Sequence, residues 1–109
     1  MKPYRLAGAA VLLCLGAAAS GAEPAGDPDA GRIKAQTCMG CHGIPGYKNV
    51  YPTYTVPRVG GQNPGYIVAA LMAYRSGERS HKTMQAQAGS LSDQDMADIA
   101  AYFAAAPPN

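Results

Sequence analysis

The chain has 109 residues, with nine Lys and Arg against seven Asp and Glu and a net charge of +2 at neutral pH. That length suits one domain, and so weak a charge, with no basic stripe, speaks against nucleic-acid binding. The absence of Trp and a single Phe leave little side-chain bulk for a core.

Residues 1–22 read as a secretory signal peptide. Lys2 and Arg5 open it, the apolar run LAGAAVLLCLGAAA follows, and the small residues Ser20 and Ala22 precede Glu23. The run is short for a bilayer span and is not closed by basic residues, which favours cleavage after Ala22 over retention as an anchor. Cys14 follows Leu13 rather than a small residue, which argues against lipoprotein processing. The remaining domain, 23–109, carries seven basic and seven acidic residues, so its formal charge is near zero. An exported domain this small often needs a staple or a cofactor.

The next elements read as helices joined by long loops. Asp27 is a suitable N-cap with Pro28 at the first helical position, predicting a helix from Pro28 to about Gln36 with Ala30, Ile33 and Ala35 turned inward. The stretch from Gly43 to Gln62 is rich in Gly, Pro and Tyr and reads as a loop long enough to be a functional wrapping segment. A second helix begins at Asn63 and Pro64, buries Ile67, Ala70, Leu71 and Tyr74 at helical spacing, and stops at Ser76–Glu78. Residues 80–90, SHKTMQAQAGS, show no period and read as a loop around one large apolar side chain, Met84. A third helix starts at Ser92, with Asp95 three residues on and a Leu91–Met96 staple. Met96, Ile99, Ala100 and Phe103 form its buried stripe, and Pro107 and Pro108 end it. No strand is expected, so the fold class is all-α.

The most specific motif is CMGCH, Cys38 to His42. C-x-x-C-H is the attachment sequence of c-type haem. The two thiols add to the two vinyl groups, and the next residue, a histidine, presents its imidazole to one axial position of the iron. A disulfide, a thioredoxin-like redox pair and a zinc site are the competing readings. The redox pair wants a βαβ setting, and zinc wants further ligands where only His81 remains. Haem iron with one histidine leaves a sixth position, which electron-transfer cytochromes close with a methionine thioether. Met84 is the favoured candidate and His81 the rival. Met39 lies between the anchoring cysteines, while Met72 and Met96 are better explained by helix packing.

With CMGCHG at 38–43, PRVGGQ at 57–62, YIVAAL at 66–71, YRSGER at 74–79, Met84 and LSDQDMADIAAYFA at 91–104 in place, the chain resembles the class I cytochromes c. It is most similar to short bacterial periplasmic mono-haem proteins and to single halves of di-haem ones. The tyrosine-rich GYKNVYPTY is longer than the family's usual connection. The resemblance implies three main helices around one covalent haem c, with the first and last crossing where Gly31 or Ala30 allows close approach, against Tyr102. It implies that the Pro57 carbonyl accepts a hydrogen bond from His42, and that Arg79, Tyr54 and Gln62 reach the haem propionates. The implied function is outer-sphere one-electron transfer between redox protein partners, a dehydrogenase or cytochrome complex as donor and a terminal oxidase or reductase as acceptor. No small-molecule substrate is expected, and peripheral membrane contact is compatible with the role. The alternatives are an electron-transfer subunit of a larger dehydrogenase or oxidase complex, and a haem enzyme or sensor with a labile sixth ligand. Arg75, Arg79 and Lys82 suggest a positive rim for an anionic partner.

Overall fold

The computed structural model describes residues 24–107; the signal-peptide reading of residues 1–22 lies outside them. Seven elements follow in order: α1 (Pro28–Lys34), α2 (Gln36–His42), β1 (Lys48–Val50), β2 (Thr53–Thr55), α3 (Pro64–Ser76), α4 (Lys82–Gly89) and α5 (Asp93–Ala105).

Asp27 caps α1 by accepting from the N–H groups of Asp29 and Ala30, with Pro28 in the first turn. The helix crosses α5 with backbone against backbone. A Cβ placed on Gly31 would lie 1.9 Å from the Asp98 carbonyl oxygen and 2.9 Å from the Tyr102 Cβ. Only glycine fits there, and Tyr102 is the expected neighbour.

One buried carboxylate latches this crossing. Asp98, 3% exposed, accepts from the Asp27 backbone N–H and from Gln94 Nε2, each at 2.9 Å on Oδ1. Its Oδ2 accepts from Lys34 Nζ at 2.6 Å, and Lys34 also pairs with Asp95 at 2.8 Å. The Lys34 ammonium, with the Asp27 N–H and Gln94 behind it, holds the Asp98 carboxyl at about 2, below its ordinary 3.8.

The crossing corrects the expected inward face of the first helix. Gly31, Ala35 and Cys38, at i, i+4 and i+7, turn toward the core, whereas Ile33 is 66% exposed. Pressing Gly31 onto α5 puts the position two residues later on the far side of the helix. The chain turns at Ala35, whose N–H still reaches the Gly31 carbonyl at 2.8 Å, and continues directly as α2.

The 43–62 connection is not all loop. β1 and β2 pair antiparallel, Lys48 opposite Thr55, Asn49 opposite Tyr54 and Val50 opposite Thr53, around a Tyr51–Pro52 turn with a cis peptide. Three-residue strands are too short to show a period in the sequence. Asn49 and Tyr54 form the sheltered face, while Val50 and Tyr51 stand in solvent.

Helix α3 is capped by Asn63, whose Oδ1 accepts from the Tyr66 N–H at 3.1 Å, and ends at Gly77 with φ 87°. It buries Ile67 and Leu71 and half-buries Ala70 and Tyr74. Helix α5 carries the expected capping box between Ser92 and Asp95. The core comprises Ala35, Ile67, Leu71, Ala88, Met96, Ile99, Ala100 and Phe103. Arg75 ties α3 to the start of α5 through the Leu91 carbonyl at 3.0 Å and Asp93 at 2.7 Å, so it is not part of a free basic rim. No helix of the described residues is long and apolar enough to cross a membrane.

Gly31→Ala is expected to lower stability by about 3 kcal/mol or more, the upper range for overpacking, read by denaturant unfolding of the holoprotein. A carboxyl held below its unfolded value adds stability above that value and loses it as pH falls through the folded one. Wild-type stability should therefore fall between pH 3.8 and about 2. Asp98→Asn, less stable at neutral pH, should flatten that part of an acid-unfolding profile.

Candidate functional site

Helix α2 presents the chemistry-bearing residues. Cys38 and Cys41 are one turn apart, at i and i+3, so both sulfurs leave the same side of the helix. His42 is the last helical residue. Cys38 is half-buried against the core and Cys41 is exposed, and no disulfide joins them. Burial pushes the Cys38 thiol above its ordinary pKa. Among the described residues no group of three or more His, Cys, Asp or Glu comes together to hold a metal ion.

His42 Nδ1 lies 2.7 Å from the Pro57 carbonyl oxygen. A carbonyl only accepts, so Nδ1 carries the proton and the lone pair of the neutral ring is on Nε2. The bond fixes tautomer and ring orientation together, the usual way in which a ligating imidazole is prepared. Pro57 is held on a segment that is itself pinned to the last helix, through Gly61 N–H to the Phe103 carbonyl at 2.9 Å.

Met84 occupies a helix, not a loop. Residues 82–89 contain Lys, Met, Gln and Ala, all good helix formers, and the i, i+4 pair Met84 and Ala88 turns toward the core. The period was hidden because one of its two apolar members is only an alanine. The helix is capped by His81, whose Nδ1 accepts from the Met84 backbone N–H at 3.3 Å. The His81 ring meets Tyr54 edge-on at 5.1 Å and Tyr74 at 6.4 Å. Sequence reasoning missed this cap because histidine is not among the preferred capping residues. Met96 is fully buried in the core, whereas Met72 on α3 is 37% exposed.

Cys38, Val59, Val68 and Met84 come from four different segments and are all half-buried on the edge of one core. This apolar margin, with two thiols and an oriented imidazole, fits a covalently held haem. The side chains expected at the propionates are engaged within the protein. Arg79 lies over the Tyr74 ring at 4.6 Å, Tyr54 packs on His81, and Gln62 accepts from the Asn63 N–H at 2.9 Å.

Residues 29–106 match the Cytochrome c family model. The chain is 43% identical over 82 residues to cytochrome c-554(548) of Halomonas halodenitrificans, covering 72% of this chain and 95% of that protein. It is 41% identical over 83 residues to cytochrome c4 of Pseudomonas aeruginosa, covering 76% of this chain but 40% of that protein. Thus it spans less than half the length of that relative. The structure of Acidithiobacillus ferrooxidans cytochrome c4 superimposes with a TM-score of 0.58 and 32% identity, over 79% of this chain and 52% of that one.

Replacing both Cys38 and Cys41 by Ala is expected to abolish haem staining of the exported protein on a denaturing gel, because no thioether then survives denaturation. The wild-type band should stain.

Proposed function

The chain belongs to the cytochrome c family, an electron carrier with covalently bound haem c, and on that premise we propose that it is a periplasmic mono-haem cytochrome with His42 and Met84 as axial ligands. It transfers electrons by an outer-sphere route between redox protein partners. The observation that carries the reading is the 2.7 Å bond from His42 Nδ1 to the Pro57 carbonyl, which turns the other ring nitrogen into a ligand of set direction. When bound, haem c supplies the one-electron Fe(II)/Fe(III) couple.

The protein's own residues do the rest. Cys38 and Cys41, on one face of α2, would anchor the ring through two thioethers. His42 supplies the proximal nitrogen. Met84 supplies a soft thioether, which favours the reduced iron and raises the potential. Were His42 and Met84 both to hold the iron, the chain itself would leave no open position for a small-molecule substrate. Val59 and Val68, half-buried against the core, would help to exclude water from a bound haem, and the protein's part would be to tune potential, burial and docking. Residues 1–22 serve as the export signal and 23–109 as the cytochrome domain. The periplasm is the compartment this arrangement fits.

Absorption spectra of the exported protein test the ligand set. Met84→Ala should lose the far-red methionine–iron charge-transfer band of the oxidised form and turn the iron high-spin. His81→Ala should remain low-spin with the band detectable. Survival of the band in Met84→Ala would rule out Met84 as ligand.

A further inference from the structure

We infer that His81 is a positioning residue for Met84, and that the tyrosine-rich hairpin β1–β2 works as a strap on that histidine. The inference rests on the proposed role of Met84 as axial ligand.

Met84 sits at the third position of α4, in the turn whose N–H groups have no helical partner. His81 Nδ1 takes the Met84 N–H, at 3.3 Å. The cap therefore fastens the backbone of the very residue whose sulfur is offered to the iron. A serine or asparagine performs this task with a short, local side chain. An imidazole can do so only if its plane is held, because the accepting lone pair lies in the ring plane.

Two rings from elsewhere in the chain hold it. Tyr54, on the sheltered side of β2, meets His81 edge-on with an interplanar angle of 89°. Tyr74, from α3, approaches at 72°, and its own face is covered by the Arg79 guanidinium at 4.6 Å. The backbone on either side of His81 is tied as well: its carbonyl accepts from the Gln85 N–H at 2.8 Å, and Gln85 Nε2 donates to the Arg79 carbonyl at 3.3 Å. Helix α4 has eight residues, too few to persist without tertiary support. Its first turn depends on this cluster.

The arrangement gives the long connection a purpose. The side chains at the outer end of the hairpin, Val50 and Tyr51, are almost wholly exposed. Tyr54 is the aromatic that the hairpin turns back onto the protein, and the residue it touches is the cap of the methionine helix. The same geometry weakens His81 as a rival ligand, since its Nδ1 lone pair is already used by the Met84 N–H, which leaves the proton of the neutral ring on Nε2.

Imidazole titration of the oxidised holoprotein reads the strength of methionine ligation, because imidazole must displace the thioether. His81→Ala should bind imidazole roughly fivefold more tightly, the equivalent of one ordinary cap, with a weaker far-red band and a lower reduction potential. His81→Asn, which can still cap, should return all three toward wild type. Tyr54→Ala should shift them in the same direction as His81→Ala, and Tyr54→Phe should not, since the contact is between the two rings. Unchanged imidazole affinity in His81→Ala, with the band lost in Met84→Ala, would overturn the positioning role and leave the ligand assignment intact. A His81→Ala defect that His81→Asn does not relieve would overturn the capping account. Persistence of the band in Met84→Ala would instead remove the ligand assignment itself. If the alanine variant does not accumulate, His81→Asn decides alone: near-wild-type imidazole affinity supports the inference, and binding tightened fivefold or more overturns it.

Discussion

The close crossing of α1 over α5 at Gly31 is the constraint from which the site follows. No side chain separates the two backbones, so the contact has little slack in rotation or translation. Asp98 then closes it from one side, gathering the start of α1, the end of α1 and the first turns of α5 onto a single buried carboxylate. Burying a carboxylate is costly unless it is paired and hydrogen-bonded, and here each of its oxygens has a strong partner. Since α2 follows α1 after one turn residue, the orientation set at Gly31 is passed directly to Cys38, Cys41 and His42.

The two sides of the site have separate supports. On the histidine side, the loop at Pro57 orients the imidazole and is itself anchored to α5 through Gly61. On the methionine side, a short helix depends on His81 and on two tyrosines drawn from β2 and α3. In the ligand set proposed above, His42 and Met84 would be held from independent elements, which suits a carrier whose iron must change charge with little rearrangement of its surroundings. The hairpin, which reads as an oddly long connection, joins the second of these supports.

Elements with strong local signals were legible. The Ser92–Asp95 capping box, the Asn63–Pro64 start and the stripes on α3 and α5 all appear where pattern and capping chemistry place them. The close crossing is different: it was expected only through the resemblance to the class I cytochromes c, which left Gly31 and Ala30 as alternatives, and the structure puts it at Gly31. The misreadings have a common origin. Helix α4 has one large apolar residue and an uncommon cap, so neither its period nor its start stood out. The strands of the hairpin are three residues each. Ile33 looked inward by composition, yet the register of α1 is decided by Gly31 and α5.

The chain by itself determined the chemistry at Cys38, Cys41 and His42, since that depends on covalent spacing within five residues. It also determined the starts of α1, α3 and α5, which depend on side chains bonding to backbone a turn away. Only the tertiary structure decided which face of α1 is buried, which carboxylate closes the crossing, and that His81 caps the methionine helix between two tyrosines. Those are contacts among residues up to 71 positions apart, and they are selected by how whole helices fit against one another. No local pattern encodes that fit.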